Sequence, residues 1–393
     1  MIPVRRSPRV LPRVLPRALP RVLPLMLCPL LLCLPVAGCA HPAARTPAAA
    51  GTTAEAGIRE AVAAWSRRPP ERLAGIPLEG WSYEVTSVRP DGARALVRAE
   101  LRYRLTGYDA ASAGSAREVE LAREGAAWRV TADRPAPGAP PQLWDQGPVT
   151  VVRGEHSLVL GVGQDPGTLT GIAGEADRAV PAVSAAWPGD WARRAVVLVP
   201  ASLDAMAALL GRPADAYRGM GAVTTGRVGA APAPADRVVI NPAGYAELSA
   251  AGRSVVLTHE VTHVATRSAT SASTPQWLSE GFADWAAYRG TPATPAEAAP
   301  ALGRAVRAGG PPAALPADAA FAFGGDAEAM ARAYEGAWLA CRLVADRWGA
   351  EALVRLYRDA GREPLPAALE GALGTDLPAL TRAWQEALRH ELG

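Results

Sequence analysis

Apolar and polar positions change period along this chain. "GIREAVAAWSRR" (residues 57–68) carries its apolar side chains three to four apart, which predicts a helix. The following stretch, "WSYEVTSVRPDGARALVRAELRYRL", alternates apolar and polar residues on both sides of Pro90-Asp91-Gly92 and predicts an antiparallel hairpin. "REVELAREGAAWRVTAD" predicts a further hairpin. The proline-dense segment "RPAPGAPPQ" (Arg134–Gln142) then ends both periods, because proline at this density breaks helices and strands alike.

Beyond that boundary, "PVTVVRGEHSLVLGV" reads as a strand pair and "TLTGIAGEADRAVPAVSAAW" as a helix. "AVVLVP" reads as a buried strand, "SLDAMAALLG" as a helix and "DRVVINP" as another strand. From Gly290 onward the spacing is helical, as in "AEAMARAYEGAWLACRLVADRWG" and "LPALTRAWQEALRHELG". A mixed sheet followed by helices is an α+β arrangement. The expected organisation is a small α+β domain over residues 58–135 and a larger domain over 142–393. The helix and curved antiparallel sheet of the first are similar in pattern to NTF2-like or cystatin-like domains.

Composition adds little chemistry. The chain has no lysine, so all 41 basic side chains are arginines, a bias of composition before it is a sign of recognition. Six of those arginines precede residue 39, leaving 35 against 38 acidic side chains in the body. A near-neutral body without a basic cluster gives no electrostatic case for nucleic acid. Of the four cysteines, Cys28, Cys33 and Cys39 lie in or beside the N-terminal segment, so Cys341 alone remains in the body and no disulfide framework follows. Its apolar-periodic setting suits a buried, inert thiol.

Residues 1–38 combine a basic start, a leucine-rich stretch near residues 23–34 and small residues, the layout of an export signal. The apolar stretch is too short and proline-rich to span a bilayer convincingly. "RVLPRVLPRALPRVLP" (Arg9–Pro24) is a four-residue repeat with no chemistry of its own. The end of the segment, Val36-Ala37-Gly38-Cys39, resembles the lipobox of bacterial lipoproteins, which implies acylation of Cys39 and an anchored protein facing away from the cytoplasm. A plain secretory signal cut nearby is the other reading. Residues 39–57, small and rich in Ala and Pro, read as a flexible tether.

The chemistry concentrates in "VVLTHEVTHVATRSATSASTPQWLSEGFADWAAY" (Val255–Tyr288). On a helix, residues i and i+4 share a face, so His259 and His263 can aim two imidazoles at one ion, with Glu260 in reach of its water. Val256 and Val264 give that helix an apolar supporting side. Catalytic zinc commonly takes three protein ligands and keeps an open position. Thr274-Pro275 predicts a helix start, with a capping hydroxyl and then proline at the first helical position. On the helix that follows, Glu280 and Asp284 are again i and i+4. Glu280 can supply the carboxylate ligand, and Asp284 can accept a hydrogen bond from a ligand histidine's other nitrogen. Taken alone, each helix has an ordinary reading: an incidental histidine pair and a solvated acidic face.

"HEVTH" followed by "WLSEGFADW" resembles the gluzincins, the zinc metallopeptidases with HExxH and a downstream glutamate ligand, a group that includes thermolysin-like and aminopeptidase-like enzymes. Trp277, Leu278, Glu280 and Gly281 match their recurring WLxEG element, and Asp284 matches the acidic residue one turn on. The resemblance spans roughly Val149–Gly349, with about thirty residues specific to it. It implies Zn2+ held by His259, His263 and Glu280, with Glu260 as the base; the donor set leaves other divalent ions open. "ARAYEGAWLACRLVADRWG" is similar to a later helix in which a tyrosine stabilises the oxyanion, which points to Tyr334 or else makes it an ordinary core tyrosine. The strand Asp236–Asn241 is the edge that fold analogy offers to an extended peptide.

Two departures qualify the match. Sixteen residues separate His263 from Glu280, fewer than in large aminopeptidases. No G-x-M-E-N element for a free amino terminus is present, which favours an endopeptidase. The expectation is a lipid-anchored zinc metallopeptidase acting on a peptide or protein substrate outside the cytoplasm. A catalytically inactive metal-binding or envelope interaction lipoprotein is the alternative.

Overall fold

The computed structural model describes residues 48–393 apart from 227, 230, 231 and 323–325. The expected signal segment 1–38 and the start of the expected tether, residues 39–47 with Cys39, lie outside the described residues. Helix α1 (Ala48–Trp65) starts earlier than the spacing predicts, so residues 48–57 of the expected tether are helical. The alanines there are strong helix formers, and Glu55 pairs with Arg59 one turn on at 2.8 Å.

Four antiparallel strands follow in sequential order: β1 (Leu78–Asp91), β2 (Arg94–Leu105), β3 (Ala113–Glu124) and β4 (Ala127–Pro135). Both predicted hairpins are present, with Asp91 paired to Arg94 and Glu124 to Ala127 at their ends. Strand β2 buries Ala95, Val97, Ala99, Leu101, Tyr103 and Leu105, every second residue, as one buried face requires. Ile58 and Val62 of α1 join them in one core.

After the proline-rich segment comes a five-stranded sheet of order β5-β6-β7-β9-β8. Its strands are β5 (Val149–Arg153), β6 (Ser157–Val162), β7 (Ala195–Val199), β8 (Ala222–Thr225) and β9 (Arg237–Ile240). β6, β7 and β9 run parallel, while β5 and β8 are antiparallel edges. Every residue of β6 is buried, the mark of a strand covered on both faces. Helix α2 (Pro166–Ala186) connects β6 to β7, α3 (Leu203–Leu210) follows β7, and α4 (Pro242–Glu247) follows β9.

The site helices are α5 (Ala250–Thr266) and α6 (Gln276–Tyr288). Behind them lie α7 (Pro295–Ala298), α8 (Pro300–Gly309), α9 (Ala327–Trp348), α10 (Ala350–Ala360), α11 (Leu365–Leu373) and α12 (Leu377–Leu392). The protein is α+β: an antiparallel sheet, a mixed sheet, then helices. Leu143, Trp144, Leu158, Leu160 and Val162 belong to the same core cluster as the first sheet, so the two sheets share apolar packing. Arg117, with a fully buried side chain, reinforces the junction through Asp133 on β4 and Asp145 just past the proline-rich segment.

Candidate metal centre

Helix α5 begins where Ser249 caps it, its side chain accepting the Gly252 N–H. Leu257, Val261 and Ala265 fill its buried side. His259 and His263 emerge on the face toward α6, with their Nε2 atoms 3.1 Å apart. Glu280 on α6 brings Oε2 to 3.3 Å from each of those nitrogens. The three donor atoms lie within 4.8 Å of one another, the one such group among the described residues.

Several contacts bring α6 to this position. The Tyr357 hydroxyl on α10 lies 2.9 Å from Thr270 Oγ1, 3.2 Å from Thr266 Oγ1 and 3.3 Å from Ser279 Oγ, joining the end of α5 to the start of α6. Thr274 does not cap α6. Pro275 is itself the residue before the helix, at φ −62° and ψ 142°, and its extended backbone carries Thr274 away from the first free N–H groups. The Thr274 hydroxyl instead accepts the Ser271 N–H, and Asp318 accepts the Gln276 N–H at 2.9 Å.

Asp284 Oδ1 lies 2.7 Å from His259 Nδ1. An ionised carboxylate only accepts, so Nδ1 carries the proton and Nε2 faces the centre. Burial disfavours a charged His259, but the charge and hydrogen bond of Asp284, the bond to Glu280 and the charge of Glu260 outweigh it and raise its pKa. Burial likewise disfavours the Glu280 carboxylate, and the two histidines more than reverse that, holding it well below the usual carboxylate range. Without a metal the cluster is thus a half-buried, partly protonated set of donors, the state a cation would replace. Two imidazoles and a carboxylate converge as a set that could hold a divalent metal ion, with His259 oriented from behind by Asp284.

Glu260 is buried, and its Oε2 lies 2.6 Å from the Thr224 hydroxyl on β8. Thr224 was invisible in the sequence pattern, since the four residues of β8 carry no periodic signal. Glu260, His259, His263, Glu280 and Tyr334 line one cleft of about 510 Å³. The Tyr334 ring centroid is 6.2 Å from that of His259. Burial first, then the charges of Glu280, Asp284 and Glu260, push its hydroxyl far above the ordinary tyrosine value, so it stays protonated.

β9 is not the edge strand. It lies between β7 and β8, and β8 takes the edge beside the cleft. A short strand after a glycine-containing turn pairs outside β9 and displaces the expected edge by one position. His156, in the β5–β6 turn, and His390, near the end of α12, line no part of the cleft. Cys341 is fully buried, and burial raises its thiol pKa well above the ordinary value, as an inert packing residue requires.

Neither the protein-family models nor the curated proteins contain a match to this chain.

Proposed function

We propose that this protein is a zinc-dependent metallopeptidase of the gluzincin type, hydrolysing bonds within extended peptide or protein substrates. The observation that carries the reading is the convergence of His259, His263 and Glu280 within 4.8 Å, with Asp284 behind His259 and Glu260 beside the cluster. Bound there, zinc would supply a Lewis acid that polarises a carbonyl and makes water acidic near neutral pH.

The chain's own residues do the rest. Asp284 holds the imidazole of His259 in one tautomer. Glu260 accepts a proton from the attacking water and returns it to the leaving amine. Tyr334, protonated across the neutral range, donates a hydrogen bond to the oxygen that gains charge. The free edge of β8 offers main-chain donors and acceptors to an extended peptide beside these groups.

With the lipobox-like Cys39, the reading extends to an exported lipoprotein held at the outer face of the membrane by its acyl chains. Among the described residues no helix is long and apolar enough to cross a membrane. Metal content by mass spectrometry, with casein hydrolysis alongside, tests the proposal. About one zinc per chain, greatly weakened by Glu280→Ala, is expected for a three-ligand site. Glu260→Gln should retain metal and lose hydrolysis. A wild-type protein that takes up no metal sinks the reading, and one that binds metal but cleaves nothing leaves a metal-binding lipoprotein.

A further inference from the structure

Glu260 stands between the two ligand histidines in sequence, and its carboxylate faces the same cleft. Carboxylate oxygen is itself a good ligand for a divalent cation. A fourth protein ligand would close the position that a catalytic centre has to keep open. Yet the converging donors are His259, His263 and Glu280, without Glu260.

The structure shows what holds Glu260 apart. Its Oε2 is 2.6 Å from Thr224 Oγ1, and among the described residues no other side chain donates to that carboxylate. The same hydroxyl lies 3.1 Å from the Glu260 carbonyl oxygen, but it has one proton, and the shorter contact to a carboxylate takes it. Thr224 is itself fixed. It is paired opposite Val238 in the β8–β9 ladder, and its neighbour on the same face, Ala222, packs in one cluster with Leu257 of α5. Glu260 is buried, so bulk water competes weakly for the bond.

We propose that Thr224 is a positioning residue that keeps Glu260 a base and prevents it from becoming a fourth metal ligand, resting on the metal-centre reading above. The edge strand then has two uses: its main chain faces substrate, and one side chain keeps the coordination sphere open.

The test loads the purified full-length protein with Co2+ and records its visible absorption, which reports the number and geometry of ligands. Thr224→Val, nearly isosteric, should change band shape and intensity as Glu260 enters the sphere, while Thr224→Ser keeps the wild-type spectrum. The double variant T224V/E260Q should return toward the E260Q spectrum, an outcome that general loosening of the strand would not produce. In casein hydrolysis, Thr224→Val should lower kcat by about 10- to 100-fold with little change in KM. Should T224V not fold, Thr224→Ala carries the same expectation. A Co2+ spectrum identical in wild type, T224V and T224A overturns the inference and leaves the peptidase reading intact. A wild type that binds no Co2+ or Zn2+ overturns both. A spectral shift in T224V that E260Q does not reverse also overturns it, because the new ligand is then not Glu260.

Discussion

Gly281 of α6 packs so tightly on α9 that a Cβ there would come within 2.2 Å of the Ala337 carbonyl oxygen and 2.9 Å of Cys341 Sγ. The glycine after Glu280 is therefore required by the crossing of two helices. That crossing brings Tyr334 to the same cleft as His259. Gly281→Ala should force the helices apart and lower stability by about 1–3 kcal/mol, measured as a shift in the urea midpoint. An unchanged midpoint would mean that α9 yields at no cost.

Asp284 accepts from the Nδ1 side of His259 and touches no other histidine nitrogen among the described residues. Asp284→Asn should weaken zinc binding by about 10- to 100-fold in chelator competition, while far-ultraviolet circular dichroism stays the same. Equal affinity would remove Asp284 from the centre.

Asp109, in the β2–β3 connection, has a fully buried carboxylate. It accepts from the Leu105 and Ala235 N–H groups at 2.6 and 2.8 Å and from both Arg237 Nη atoms at 2.9 and 3.0 Å. The first sheet thereby grips the start of β9. Asp109→Ala strands the Arg237 charge and two backbone donors, and should cost about 3–5 kcal/mol in chemical denaturation. A loss below about 1 kcal/mol would show that the Asp109–Arg237 pair contributes little and that the shared apolar core and the Arg117 pairs carry the junction.

Metal removal should lower the melting temperature, because an ion bound only by the folded chain stabilises it by mass action; several degrees are expected at saturating zinc. The pH dependence has a definite sign. In the metal-free protein the raised His259 pKa contributes stability that is present below the ordinary histidine value and lost as pH rises through the folded one. The lowered Glu280 pKa contributes stability that is present above the ordinary glutamate value and lost as pH falls toward the folded one. A zinc ion at Nε2 would have to displace the second proton of a charged His259, not the Nδ1 proton held by Asp284, so the gap in melting temperature between loaded and metal-free protein should widen from pH 6 to pH 8. Calorimetry with and without chelator measures it, and a constant gap would mean that His259 gives up no proton on loading.

Whatever depends on neighbours within a turn or a hairpin is legible from the order of residues alone. His259 and His263 share a face because they are four apart on one helix, and Glu280 and Asp284 do so for the same reason. The two hairpins, the buried strands and the order of sheet before helices follow from periodicities that are equally local. How distant segments pair is a matter of packing. β8 takes the edge in place of β9, Thr224 reaches Glu260 across a helix–strand contact, and Asp318 rather than Thr274 caps α6. None of these carries a local signal, because the partner that satisfies each group is chosen by packing and not by spacing along the chain. The donor triad joins both kinds: each helix presents its half by period, and only the approach of α6 to α5, held by Tyr357, brings three donors to one place.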